Sequence, residues 1–367
     1  MDIGKTKVLV AMSGGVDSSV AAALLKEQGY QVTGVIMKIW GGESLPAEGR
    51  HHGCYGPDEA EDIEDAHRVA QSLDIPLQVE DLTGEYKSVV LDYFCDAYLS
   101  GRTPNPCVRC NQKIKFGALM DKVRRGGLEF DFIASGHYAR VDYDAGQKRY
   151  LLKKGRDLSK DQSYFLTFLS QEQLGRLIFP LGDKTKIEVR QIAQRLNLPV
   201  ADKPDSQNFV SGDYSGMIPT ESKPGPILDK AGNILGRHRG IQFYTIGQRK
   251  GLGISNPTLL YVAAIDPERN AVIVGERSDI YSQEFTLSEL NWISIADLKQ
   301  PLEVKAKIRS SHKEAEAVIT PLDNNQVRVK FTDPQMAVTP GQVAVFYDGE
   351  TVVGGGIILG KNQTSPG

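Results

Sequence analysis

Residues 13–19 read Ser-Gly-Gly-Val-Asp-Ser-Ser, and they join two segments of different period. Before them, the apolar run at 7–12 reads as a buried strand; after them, Val20, Leu24 and Leu25 share one face of a helix over 18–28. A strand that turns into a helix through two glycines lets the backbone approach a ligand closely. The helix start leaves N–H groups unpaired, and the hydroxyls of Ser13, Ser18 and Ser19 add donors. Such a place suits an anion such as a phosphate. It is not a Walker loop, because no Gly-x-x-x-x-Gly-Lys-Ser/Thr is present. The plain alternative is a tight turn with a serine cap.

The alternation continues. Strands are predicted at 32–39, 77–82 and 130–135, and helices at 59–73, 86–99, 111–124 and 184–196, with a further helix beginning at Lys160. This order argues for an α/β domain with a parallel sheet and helices on both faces. The pattern changes after residue 203. Lys203-Pro-Asp-Ser-Gln and Thr220-Glu-Ser-Lys-Pro-Gly-Pro are rich in turn residues, and glycines punctuate short strands over 226–280. From 283 the chain reads as all-β. Leu302, Val304, Ala306 and Ile308 alternate with charged residues, Val327, Val329 and Phe331 repeat the period, and Asp348-Gly349 marks a hairpin. The expected division is a catalytic domain over 1–203, a small β-rich domain over 204–280, a β-barrel over 281–361 and a flexible tail at 362–367.

Composition removes several classes of protein. The chain has 367 residues, 40% hydrophobic and 24% charged, as in ordinary globular proteins. No apolar run approaches the ~20 residues of a membrane span, and the N-terminus lacks the layout of a secretory signal. Four cysteines do not make a disulfide framework at this length, so a reducing cytoplasm is expected. A net charge of −3 argues against a globally basic nucleic-acid binder but allows a local basic face, such as Arg237, Arg239, Arg249 and Lys250.

Six strings now occur in order: the glycine loop, Thr103-Pro-Asn-Pro before Cys107 and Cys110, Asn111-x-Lys-Ile-Lys-Phe116, Gly136-His-Tyr-Ala-Arg140, Lys160-Asp-Gln-Ser-Tyr-Phe-Leu166, and Phe243-Tyr-Thr-Ile-Gly-Gln-Arg-Lys-Gly-Leu-Gly-Ile254. The loop alone resembles the pyrophosphatase (PP) loop of adenylating enzymes related to the adenine nucleotide hydrolases. Together the strings resemble the bacterial tRNA-uridine 2-sulfurtransferases, from about residue 6 to 360. The resemblance implies ATP-dependent 2-thiolation of the wobble uridine of tRNA, with Mg²⁺ and a sulfur donor (a protein persulfide or sulfide). It implies ATP at Ala11, Met12, Ser13, Gly14, Gly15, Val16, Asp17, Ser18, Met37 and Gly136, with Asp17 holding Mg²⁺ or orienting the loop. It implies the target base at Asn105 and Pro106, and a catalytic cysteine at Cys110. It implies tRNA or reacting-centre contacts at His137, Lys160, Asp161, Gln162, Arg309 and Gln342. Ser310 and Ser311 replace bulkier family residues beside Arg309. The bland readings stand beside these: His137 as a core histidine, and Lys160-Asp-Gln as a helix start.

One departure matters. The family pattern carries a second catalytic cysteine after an Asp/Glu-Ser-Gln motif, whereas Asp205-Ser-Gln-Asn-Phe-Val-Ser-Gly-Asp213 has none. Cys107 stands where the family often has aspartate. Cys54 follows the second strand, in a loop expected on the same sheet edge as the proline-stiffened 103–110 loop. Cys95 reads as a core residue. Cys54, Cys107 and Cys110 therefore admit three readings: ligands of a 4Fe–4S cluster with one open iron, a Cys107–Cys110 persulfide/disulfide pair, or a zinc site short of the usual four ligands. The neighbouring lysines are expected to favour the thiolate. Two other functions compete: an ATP-dependent amide or guanidine synthetase, and a non-catalytic ATP- and metal-binding redox sensor.

Overall fold

The computed structural model describes residues 2–42, 53–205, 208–210, 214–218 and 222–360. The expected tail, Thr220, Glu221 and most of the 206–213 segment that lacks the second cysteine lie outside the described residues. The chain forms two compact units.

The first unit comprises Met1–Val90, Cys107–Tyr214 and Glu350–Val352. Its centre is a parallel sheet of β1 (Lys7–Met12), β2 (Gln31–Lys38), β4 (Leu77–Asp81), β5 (Phe132–Ser135) and β8 (Leu177–Ile178), in the order β4-β2-β1-β5-β8. A short parallel pair, β3 (Gly53–Tyr55) with β9 (Asn208–Val210), lies apart from that sheet, and an antiparallel hairpin follows β5 as β6 (Ala139–Asp144) and β7 (Arg149–Lys154). Because β2 and β5 flank β1 on opposite sides, the chain reverses its winding at β1. Open α/β sheets bind ligands at such a switch point, outside the carboxyl ends of the strands. The helix after β1, α1 (Val16–Glu27), is buried along most of its length. It contributes Ala22 and Leu25 to one apolar cluster with Val8, Val10, Ile36 and Val69. It contributes Val16, Val20 and Ala21 to another with Tyr138, Val189 and Ala193. Packed into both clusters, α1 holds the glycine loop at its N-terminal end in place.

Four of the five sheet strands agree with expectation within two residues; the fifth, the two-residue β8, was not expected. The helices differ more. The predicted 86–99 helix begins earlier, at Thr83–Tyr86, and passes through a π-helical stretch, Lys87–Leu91, before Asp92–Leu99. The expected 103–110 loop turns helical at Pro106–Arg109, continues as π-helix over Cys110–Ala118 and ends as Leu119–Arg125. Asn105-Pro106 is a start signal for this helix, a capping residue followed by the proline that suits a first helical position. The helix expected at Lys160 is only a 3₁₀ turn, Ser163–Leu166. Cys54 lies in β3 rather than in a loop.

The second unit comprises Leu91–Pro106, Ser215–Gly349 and Val353–Gly367. A four-stranded sheet holds β10 (Gly225–Leu228), β11 (Ile234–His238), β12 (Tyr261–Asp266) and β13 (Ala271–Gly275), in the order β11-β10-β13-β12. Its core gathers Ile227, Ile241, Tyr244, Val262 and Val272. Next comes a closed antiparallel barrel of β14 (Tyr281–Trp292), β15 (Leu302–Lys307), β16 (Ala315–Leu322), β17 (Gln326–Met336), β18 (Val343–Asp348) and β19 (Thr351–Ile358), with β14 pairing β19 to close the ring. Closure removes the exposed edges of an open sheet. The period-two residues Val304, Ala306, Val327, Val329 and Phe331 fill its interior, as their alternation predicts. The Asp348-Gly349 turn is the expected hairpin, with Gly349 at φ +57°.

Candidate active site

The glycine loop sits at the carboxyl end of β1. Ser13 donates its N–H to Ser18 Oγ (3.1 Å), and the hydroxyls of Ser18 and Ser19 donate to the Gly15 carbonyl (3.2 and 2.8 Å). The serines thus brace the turn, and Ser13 is exposed at its crest. Gly14 has φ +66°, and a Cβ there would lie 2.2 Å from the Asp62 carbonyl oxygen. Gly136, just beyond β5, packs as tightly: a Cβ would stand 2.6 Å from Ser18 N. Both positions admit only glycine, and together they leave the first turn of α1 facing the switch point. Ala11 and Met12 are buried at the end of β1 and Met37 is half-buried near the end of β2.

Asp17 has partners that the sequence reading missed. Its Oδ1 accepts from Tyr138 Oη (2.9 Å) and from Lys186 Nζ (2.7 Å). Lys186 also pairs with Asp205 Oδ1 (2.7 Å), which Arg190 reaches at 2.7 Å, while Lys160 reaches Asp205 Oδ2 at 3.1 Å. Burial and the charge of Asp17 push the Tyr138 phenol well above its usual range. Burial would raise the Asp205 carboxyl, but the hydrogen bonds from Lys186 and Lys160 outweigh it and hold the group at about 2. An unfolded aspartate titrates at about 3.9. The folded value is lower, so Asp205 stabilises the fold fully above the unfolded value and loses that contribution as pH falls through about 2. Thermal melts below about pH 4 are expected to show a steep acid limb that Asp205→Asn flattens; an unchanged limb would remove Asp205 from this account.

The Lys160-Asp161-Gln162 string is a fastener. Asp161 accepts from the Gly155 and Ser163 N–H groups (both 3.1 Å) and from Ser163 Oγ (2.9 Å). Gln162 Oε1 accepts from the Tyr138 N–H at 3.0 Å, and Tyr138 returns a carbonyl to the Gln162 N–H at 2.9 Å. His137 is buried between Phe116 and Phe179, each 5.9 Å from its ring, with Nδ1 2.7 Å from Ser135 Oγ. Burial, then the charge of Lys115, holds its imidazole well below the usual histidine range, so it is neutral at physiological pH.

Cys54, Cys107 and Cys110 come together. The charge of each bears on Tyr86, a buried side chain stacked on Tyr55 at 5.4 Å. All three thiols keep accessible surface, Cys54 most, although protein surrounds them on most sides. That crowding pushes Cys107 up to about 12 and Cys110 up to about 11, and raises Cys54. Lys115 acts in the expected direction, lowering all three, but burial outweighs it. The expectation of thiolate character from the lysines alone is therefore corrected: desolvation keeps these thiols protonated at neutral pH.

Within the second unit, Asn105 and Pro106 are buried at the end of the 103–106 segment. Gln342 Nε2 donates to the Thr103 and Pro104 carbonyls (both 3.1 Å), and the Thr103 N–H donates to the Pro340 carbonyl (2.8 Å). Gln342 thereby holds the segment that ends in Asn105-Pro106. Arg309 donates to the Ala337 carbonyl at 2.7 Å and lines a groove of about 610 Å³ with His312, Lys313 and Gln335. Cys95 is half-buried, its thiol donating to the Met217 carbonyl at 3.3 Å.

A parallel sheet with a glycine-serine loop at its switch point defines a nucleotide-binding α/β domain of the PP-loop class, here followed by two β domains. Residues 6–211 match the family described as the tRNA methyl transferase HUP domain, 217–276 its PRC-barrel domain, and 282–358 the aminomethyltransferase β-barrel domain. Relatives named tRNA-specific 2-thiouridylase are similar throughout. The one from Endomicrobium trichonymphae is 50% identical over 357 residues, covering 96% of this chain and 99% of its own. That from Acetivibrio thermocellus is 50% identical over 363 residues, covering 97% and 100%. The chain belongs to the tRNA-specific 2-thiouridylase family.

Proposed function

We propose that this protein is a tRNA-uridine 2-sulfurtransferase of the cytoplasm, which uses ATP to replace the C2 oxygen of the wobble uridine by sulfur. The observation that carries the reading is the glycine loop braced at the switch point in a chain half identical to 2-thiouridylases over nearly its whole length. Ala11 to Ser18, Met37 and Gly136 bind ATP. Backbone N–H groups at the start of α1 face the phosphates, which carry Mg²⁺, and Asp17 orients the loop. The C2 oxygen attacks the α-phosphorus, pyrophosphate leaves, and C2 becomes activated as an adenylate. A sulfur nucleophile adds at C2, and AMP departs with the oxygen. Asn105 and Pro106 hold the base, which must leave its stack to expose C2. His137, Lys160, Asp161, Gln162, Arg309 and Gln342 support the tRNA side, by direct contact or by fixing the segments that make it. The β domains supply the tRNA-binding surface.

Cys110 handles the sulfur, with Cys107 and Cys54. The donor set suits an iron–sulfur cluster in kind, since thiolates are its usual ligands. Among the described residues, however, no three such side chains already stand where they could hold a metal ion, so Cys54, Cys107 and Cys110 would close in to bind it. A bound cluster would strip the thiol protons that burial retains and offer an iron for sulfide. The second reading is a Cys107–Cys110 persulfide/disulfide relay. The spacing of the two cysteines favours it, because residues three apart on a helix are neighbours. Iron and acid-labile sulfide, measured on protein purified without oxygen, separate the two. Stoichiometric content lost in Cys54, Cys107 and Cys110 variants but not in Cys95→Ser supports the cluster. Metal-free protein that thiolates tRNA from a persulfide supports the relay. The function itself is tested by AMP release, which is expected to require tRNA; release without tRNA would favour an amide or guanidine synthetase.

A further inference from the structure

Lys186 opens the helix Lys186–Arg195, where a lysine is electrostatically out of place, because the helix dipole puts positive partial charge at that end. It is held there by two carboxylates. Its side chain is only 13% exposed, and Nζ lies 2.7 Å from both Asp17 Oδ1 and Asp205 Oδ1. It also stands 5.9 Å over the ring of Tyr138, whose hydroxyl donates to the same Asp17 oxygen. Asp17 belongs to the first turn of the helix that starts from the glycine loop. Asp205 lies in another segment and is tied in turn by Arg190 and Lys160. One ammonium is thus shared between the loop and a carboxylate outside it, and the five groups carry three positive and two negative charges.

We infer that Lys186 is a positioning residue that couples occupancy of the glycine loop to Asp205, by dividing one ammonium between Asp205 and Asp17. The inference rests on the reading of that loop as the ATP site. A triphosphate arriving at the loop competes for the same ammonium and changes the pull on Asp17. Asp205 resists that change through Lys186, although it is not part of the loop. Charges that share one partner are not independent, and removing them singly and together shows non-additive effects.

The test is a double-mutant cycle on MgATP affinity, measured by titration calorimetry of the full chain without tRNA. Asp205→Asn is expected to change the dissociation constant by about fivefold or more, and by less than about twofold once Lys186→Gln is present. Lys186→Arg, which keeps the charge, is expected to keep the larger response. A structural role for Asp205 alone would give the same fold-change in every background, and that result would overturn the inference. So would an unchanged affinity in Asp205→Asn. If the Lys186→Gln protein does not fold, the Lys186→Arg comparison still decides: loss of the Asp205 response there contradicts the shared ammonium. An unmodified chain that binds no MgATP would overturn the ATP-site reading as well, which distinguishes the two failures.

Discussion

Cys110→Ser is expected to reduce 2-thiouridine formation by roughly a thousandfold or more, the scale on which loss of a reacting side chain acts, and to leave MgATP binding unchanged. The reason is spatial. Cys110 opens the π-helical stretch, beside Cys54 and Cys107 in their effects on Tyr86. ATP is assigned to a different element, the turn between β1 and α1. Serine keeps the size and one donor but cannot carry sulfur, whether as persulfide or as cluster ligand. Thiouridine content of tRNA, measured after digestion to nucleosides, reads the first half of the prediction and calorimetry the second. Retained thiolation would remove Cys110 from the sulfur path; lost MgATP binding would mean that the cysteine supports the nucleotide site instead.

Gly14→Ala is expected to abolish MgATP binding and to destabilise the first unit by roughly 2 kcal/mol or more, through a left-handed backbone angle and a backbone clash that an alanine cannot relieve. The added Cβ would fall 2.2 Å from the carbonyl oxygen of Asp62. Asp62 and Asp65 are themselves anchored by Lys203, so the helix Glu59–Ser72 cannot easily retreat. Gly15→Ala is the control: φ there is −98°, and a Cβ would meet only Ser13 Oγ at 3.5 Å. Melting curves of the two variants should differ clearly. Equal stability would show that the crowding at Gly14 relaxes at little cost.

What the sequence made legible follows from where the physics is local. The parallel sheet could be read because its central strands β1, β2 and β5 are largely apolar runs, and the barrel because Leu302 to Ile308 and Val327 to Phe331 alternate with period two. The glycine loop was readable because its constraint is written in seven adjacent residues. Side chains that act from a distance were not. Tyr138 and Lys186 reach Asp17 across 121 and 169 positions of chain. The one local hint was a lysine in the first turn of a helix, which needs a carboxylate to offset the dipole. The cysteines show both limits. Their convergence followed from expecting both segments at one edge of the sheet. Their protonation did not, because desolvation depends on surrounding protein that no short string displays. The helical start at Pro106 was missed for a different reason: two prolines in Thr103-Pro-Asn-Pro suggested a loop, yet the second is well placed as a first helical residue.

The most direct measurement is mass spectrometry of nucleosides from unmodified tRNA incubated with the anaerobically purified chain, MgATP and a sulfide or persulfide donor. 2-Thiouridine is expected at the wobble position, formed only when ATP and the donor are both present, with AMP released in step. AMP formed without any thiolated nucleoside, or a thiolated base formed without ATP, would contradict the proposed function.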